Sequence, residues 1–118
     1  AWIDEGGALR AGPHSASADP GPVCYGRGGQ EPTVTDANVV LGYMNAEAIA
    51  ASSLPIDRQA AWDIIQQKIA RPLNLDVLPA AYGIMQVANA TMMRALRAVS
   101  TERGRDPREF TLMAFGGA

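Results

Sequence analysis

Apolar positions recur at helical spacing through the last two-thirds of the chain and at no fixed spacing in the first third. Ile84, Ala88, Met92, Ala95 and Val99 step by four, four, three and four, while Tyr82, Gln86, Arg94 and Arg97 fall elsewhere. That stripe predicts one long amphipathic helix. Asp76 opens it, Pro79 is tolerated in its first turn, and it continues through Arg103 to a stop at Gly104. Ala61, Ile64, Ile65, Lys68 and Ile69 repeat the pattern and predict a helix from Arg58 to Ala70, with Ile56 as staple, Asp57 as N-cap and Pro72 as terminator. Ala37, Val40 and Leu41 predict a short helix capped by Thr35 or Asp36 and reaching about Met44, followed by a second short run from Ala46 to Ser52.

The flanks read differently. Ala1 to Ile3 and Ala8 to Ala11 surround Asp4-Glu5-Gly6-Gly7, the pattern of a short β-hairpin. From Gly12 to Pro32 there is neither a period of two nor one of 3.6, and prolines and glycines set an irregular but defined path. Val23, Cys24 and Tyr25 make it too apolar for a solvated linker. After Asp106-Pro107, Phe110 to Phe115 predicts a strand running into the Gly116-Gly117 turn. The expected fold is therefore α/β, mostly helical. Residues 1–34 form the hairpin and Gly/Pro-rich loop, 35–104 the helical part, and 110–118 the strand and glycine turn. Helix, turn, strand and glycine turn in succession belong in an α/β layer, where ligands gather at the carboxyl ends of strands.

Composition narrows the possibilities. A chain of 118 residues supports one core and not two. Ten basic residues against twelve acidic ones, scattered along the chain, argue against nucleic acid as a partner. Cys24 is the only cysteine, so no disulfide scaffold exists, and a lone thiol suits a reducing cytoplasm. No apolar run is long enough to span a membrane, and the opening AWIDEGGALR lacks the character of a secretory signal. The chain begins at Ala1 without an initiator methionine and stops in a glycine turn, which reads as a fragment of a larger polypeptide.

Phe115-Gly116-Gly117-Ala118 carries the clearest chemical signal that spacing provides. Two glycines after an apolar strand let backbone amides approach a nucleotide closely, although an ordinary strand-to-helix turn uses the same residues. His14, the single histidine, has no metal-ligand spacing around it, so no metal site is expected. Cys24 is a nucleophile only beside a base, and otherwise a small buried hydrophobe. Asp36 and Asp57 are accounted for by capping, and Asp19, in Asp-Pro-Gly-Pro, by an Asx-type turn or by a catalytic carboxylate. Asn89 lies on or beside the long helix's stripe. Met85, Met92, Met93 and Leu96 are expected in the core, and Trp2 and Trp62 are expected to anchor packing.

Taken as one string, Ser15 through Gly29 (SASADPGPVCYGRGG) with Glu31 through Gly42 (EPTVTDANVVLG) closely resembles the hydantoinase A / 5-oxoprolinase family. The resemblance continues through Ala88-Asn89-Ala90, Arg94-Ala95, Val99-Ser100, Glu102-Arg103-Gly104, Asp106-Pro107-Arg108 and Ala114-Phe115-Gly116-Gly117-Ala118, and is weakest from Tyr43 to Leu78. Ser17 departs from it, standing where the family has glycine. The resemblance implies a piece of the second lobe of an ATPase similar to actin and the sugar kinases, beginning after a Gly-Gly-Thr phosphate motif and ending inside an adenosine-contacting Gly-Gly-x-Gly motif. It implies ATP and Mg²⁺ as cofactors, a small cyclic amide as substrate, and a companion hydantoinase B-type subunit or domain. Phosphorylating the amide oxygen would make the ring carbonyl carbon electrophilic, and water would then open the ring. Related members would use the same activation to carboxylate ketones, and a third possibility is a non-catalytic helical region serving the companion subunit. Gly116 and Gly117 carry over as nucleotide contacts. Asp19, Cys24 and Arg27 match the loop string and are carried as catalytic candidates to which the motif gives no individual role.

Overall fold

The structure, a computed structural model, describes residues 1–44 and 55–113. Its first element is the hairpin that the glycine turn requires. Strands β1 (Trp2–Ile3) and β2 (Leu9–Arg10) pair antiparallel with Trp2 opposite Arg10 and Ile3 opposite Leu9. Asp4 organises the turn. Its Oδ1 accepts from the Gly6 and Ala8 amides at 3.1 and 2.9 Å, and Gly7 takes φ +79°, where a side chain would be strained.

Helix α1 (Val34–Val40) is capped two or three residues earlier than the expected Thr35 or Asp36. The cap is Thr33. Its Oγ1 accepts from the Asp36 amide at 3.1 Å while the Asp36 carboxylate accepts from the Thr33 amide at 2.8 Å, so two orphan donors at the helix start are satisfied reciprocally. The short helical run expected over Ala46 to Ser52 lies outside the described residues.

Helix α2 (Arg58–Ile65) is capped as expected, the Asp57 side chain accepting from the Ala60 amide at 2.9 Å. Pro72 does not end it. The chain widens into a π turn over Gln66–Ala70 and continues as α3 (Arg71–Leu73), ending at Asn74 with φ +53°. A proline ring collides with the carbonyl four residues back in a regular helix. The π turn sets the Arg71 amide onto the Gln66 carbonyl, five residues back, and so shifts the ladder before Pro72 enters it.

Helix α4 (Val77–Val99) is the long one, with Asp76 at its N-cap position but making no side-chain cap bond. It stops at Val99 instead of Arg103. The Ser100 hydroxyl donates back to the Leu96 carbonyl at 2.6 Å, and a 3₁₀ turn over Thr101–Arg103 follows, closed by Gly104 at φ +71°. A second 3₁₀ turn spans Pro107–Glu109. The expected strand from Phe110 is not formed over Phe110–Met113, which pairs with nothing among the described residues, and the remainder of that strand lies outside them. A strand needs a neighbour to satisfy its backbone, so an apolar sequence alone does not make one.

The core sits where α1, α2 and the first half of α4 cross. Val39, Val40, Ile65, Ile69 and Ile84 fill it, and Ala37, Ala61, Ala70, Ala80 and Ala81 let the helices approach closely. Gly83 serves the same purpose on the hairpin side, since a Cβ there would lie 3.2 Å from Leu9 Cδ2. Arg58 donates to the Val40 carbonyl at 3.1 Å and so joins the start of α2 to the end of α1. Beyond Ala88 the expected buried stripe is open to solvent. Met92, Met93 and Leu96, expected in the core, are 57, 54 and 43 % exposed, and Asn89 and Trp2 are also exposed. Trp62 is half-buried against the core as expected. Among the described residues no helix is long and apolar enough to cross a membrane.

Two glycine-type positions in the loop predict opposite outcomes. Ser17 keeps φ +56° despite its Cβ, so Ser17→Gly should stabilise by about 0.5–1 kcal/mol once the greater entropy of unfolded glycine is subtracted. At Gly29 a Cβ would stand 2.4 Å from the Gly21 carbonyl oxygen, and Gly29→Ala should destabilise by about 2 kcal/mol or more because backbone has to move. Urea unfolding midpoints of the two variants check both signs.

Candidate functional site

The Gly/Pro-rich loop from Gly12 to Pro32 holds the three catalytic candidates, and its shape follows from where its backbone polar groups find partners. The Gly21 amide donates to the Ala16 carbonyl at 3.1 Å, and Tyr25 and Gly26 donate to Pro22 and Val23 at 3.0 and 3.1 Å around a 3₁₀ turn over Val23–Tyr25. Gly21 and Gly29 lie back to back, which closes the loop at its waist. Gly26 and Gly28, at φ +65° and +93°, turn the chain on either side of Arg27.

A single buried carboxylate holds this loop on the helices. Asp36 is fully buried; its Oδ1 accepts from the Cys24 amide at 2.8 Å, and its Oδ2 accepts from the Thr33 hydroxyl at 2.7 Å and the Val23 amide at 3.3 Å, besides the Thr33 amide. The Cys24 carbonyl accepts from the Asp57 amide at 2.8 Å. Cys24 is thus clamped on one side to α1 and on the other to the entrance of α2.

The structure separates the loop candidates. Cys24 is fully buried, whereas Asp19 and Arg27 lie on the exposed side, and no ion pair joins those two among the described residues. Burial, and next the negative charge of Asp36, push the Cys24 thiol far above its ordinary value. A thiol so placed stays protonated and packs as a small hydrophobe, because a thiolate needs an electropositive, accessible setting. Gly116 and Gly117 lie outside the described residues. Among the described residues no three His, Cys, Asp or Glu side chains converge as a metal site would require.

Beside the loop, a concavity of about 270 Å³ is lined by His14, Ser15, Ser17, Thr33 and Thr35, an imidazole among hydroxyls able to donate or accept. A second hollow, of about 490 Å³, lies between the end of α4 and the segment after it, where Arg103 and Arg105 flank Phe110. Sequence reasoning had treated Asp36 as a cap and nothing more. The capping-box spacing Thr33 to Asp36 was its visible signal, but its bonds to Val23 and Cys24, over ten residues back, appear only in three dimensions.

Comparison with known proteins places this geometry. The family model described as hydantoinase/oxoprolinase matches residues 1–118. The caprolactamase subunit alpha of Pseudomonas jessenii is 53 % identical over 118 residues, which are 100 % of this chain and 17 % of that protein. The acetophenone carboxylase gamma subunit of Aromatoleum aromaticum is 44 % identical over 119 residues, covering 100 % of this chain and 16 % of that subunit. The crystal structure of the ATP-dependent caprolactamase from Pseudomonas jessenii superposes with a TM-score of 0.82 and 54 % identity over 92 % of this chain and 16 % of that one. The chain thus spans about one-sixth of the length of these relatives.

Two outcomes follow from the buried node. Asp36→Ala should cost about 3 kcal/mol or more, since three amides and a hydroxyl lose a buried acceptor, and Asp36→Asn should cost less; denaturant unfolding measures both. The raised thiol of Cys24 predicts pH dependence of a definite sign. Below pH about 9 both folded and unfolded forms keep the proton and Cys24 adds no slope; above it only the unfolded form releases the proton, so stability falls by up to about 1.4 kcal/mol per pH unit. Unfolding midpoints from pH 8 to 10.5 should show that fall in the native chain and a shallower one in Cys24→Ala.

Proposed function

The chain belongs to the hydantoinase/oxoprolinase family, and from that premise we propose that it is part of an ATP-dependent amide hydrolase that opens a small cyclic amide such as hydantoin, 5-oxoproline or a lactam. The observation that carries this reading is the 53 % identity along all 118 residues to a caprolactamase subunit, joined to a fold that superposes on an ATP-dependent caprolactamase. The carboxylase relative, 44 % identical over the same stretch, favours a second reading: a subunit of a ketone carboxylase that uses ATP in the same activation.

In the first reading the 118 residues are one piece of a larger domain, part of a lobe like those of the actin and sugar-kinase ATPases. ATP would supply the phosphoryl group that makes the amide carbon electrophilic, so that water adds to it and the ring C–N bond breaks with the nitrogen leaving as the amine. The residues of this chain suited to its nucleotide are Gly116 and Gly117, whose lack of Cβ lets main-chain amides meet it directly. Mg²⁺ would be held by residues elsewhere in the polypeptide. Of the loop candidates, Arg27 is an exposed cation between two left-handed glycines and fits an anionic group, and Asp19 is an exposed carboxylate near it in sequence. Cys24 contributes by position, its backbone holding the loop on α1 and α2. A companion B-type subunit completes the enzyme, and the cytoplasm, where ATP is available, is its place.

Phosphate release by the intact polypeptide with its companion subunit, measured with hydantoins, 5-oxoproline, caprolactam, and ketones plus bicarbonate, separates the readings. Ring-dependent release supports the hydrolase, bicarbonate dependence supports the carboxylase, and no ATP turnover under any condition rejects both in favour of a helical assembly region. Gly116→Val and Gly117→Val should each weaken ATP binding tenfold or more. Arg27→Ala should lower kcat/KM at least tenfold with an unchanged melting temperature, and full activity would remove Arg27 from the site.

A further inference from the structure

The hollow beside the loop is polar without being charged. Its polar walls are the imidazole of His14 and the hydroxyls of Ser15, Ser17, Thr33 and Thr35, and no Asp, Glu, Lys or Arg side chain lines it among the described residues. Two of these hydroxyls have bonds already. Thr33 donates to Asp36 Oδ2 at 2.7 Å and accepts from the Asp36 amide at 3.1 Å, so it is a fixed wall. Ser15 Oγ accepts from the Ser17 amide at 3.1 Å, which leaves its hydrogen for an acceptor in the hollow. The side chains of His14, Ser17 and Thr35 bond to nothing among the described residues, and each can donate or accept. Ser17 stands out for a further reason. Between Gly12 and Pro32 the other left-handed residues are Gly12, Gly21, Gly26 and Gly28, whereas Ser17 holds φ +56° with a Cβ and a hydroxyl. A side chain held in that region costs free energy, and such outliers gather at binding sites.

We propose that this hollow receives the ring of the cyclic amide, its amide edge against His14, Ser15 and Thr35, and that Ser17 sets which rings enter; this rests on the hydrolase reading above. Three observations select that ligand. A ring amide is neutral and presents a carbonyl and an N–H side by side on one edge, a pairing that hydroxyls and an imidazole answer. A phosphate calls instead for Lys or Arg, which donate only and are missing from these walls. Ala16, Pro22 and Val34 give the ring's methylene face an apolar wall. The size agrees as well. At about 30 Å³ of liquid per water, the hollow of about 270 Å³ is room for roughly nine waters, the scale of one small ring and not of a nucleotide.

The test uses the intact polypeptide with its companion subunit and the steady-state kinetics of phosphate release with caprolactam, hydantoin and 5-oxoproline. His14→Ala and Thr35→Val should each raise KM for the ring at least tenfold while KM for ATP and the melting temperature hold. Thr35→Ser, which keeps the hydroxyl, should restore the native KM. Ser17→Gly should change kcat/KM for the preferred ring relative to the other two at least fivefold while the fold becomes more stable, a combination that relief of strain alone does not produce. A ring KM unaltered in both His14→Ala and Thr35→Val would overturn the proposal and leave the hydrolase reading standing. A rise in KM for ATP instead would assign the hollow to the nucleotide's phosphates and overturn it too, and an unchanged ring preference in Ser17→Gly would overturn the role of Ser17. A native enzyme that releases no phosphate with any ring would overturn the hydrolase reading and this inference together.

Discussion

The arrangement of this chain depends on one carboxylate. Asp36 collects the amides of Val23, Cys24 and Thr33 and the hydroxyl of Thr33 in a site from which water is excluded. A buried carboxylate is tolerable only when its lone pairs are satisfied, and here its bonds tie the Val23–Cys24 turn and the Thr33 cap to the start of α1. The loop cannot leave the helices without stranding that charge. Its irregular backbone is thereby tied to α1 and α2.

From that node the rest follows in two directions. Inward, Cys24 is pressed against the crossing of α1, α2 and α4, where alanines bring helices close and three isoleucines fill the remaining space. Outward, the same clamp presents the turn carrying Arg27 to solvent, with glycines of positive φ on both sides of it. The surface ion pairs, Asp4 with Arg10, Glu31 with Lys68 and Asp106 with Arg108, add little beside this, since exposed pairs contribute at most about 1 kcal/mol each.

Much of the fold was legible along the chain, and particular residues show why the remainder was not. The hairpin was readable because Gly6-Gly7 and Asp4 act within a few residues, and the Asp57 cap and the long helix are equally local. Pro72 was misread because a proline ends a helix by local rules, whereas a π turn five residues wide can carry the helix past it. Thr33 was missed as the cap in favour of Thr35 or Asp36, because every one of these residues can cap and only the geometry of the approaching loop chooses. Ser17 shows the converse. It stands where the family has glycine, yet its φ is +56° because the flanking loop dictates it.

By itself the sequence determined the family, through a loop string too long and too unusual to arise from general composition, and the order of its helices, through periodicity and caps that act over three or four residues. Tertiary structure alone decided which of the similar carboxylates became the buried node, that Cys24 is sealed from solvent while Arg27 is open to it, and that the apolar stripe of α4 is half covered and half bare. The physical reason is range. Helical periods and turns are written in neighbouring residues, but burial depends on which distant segment arrives, and a side chain's chemistry depends on burial.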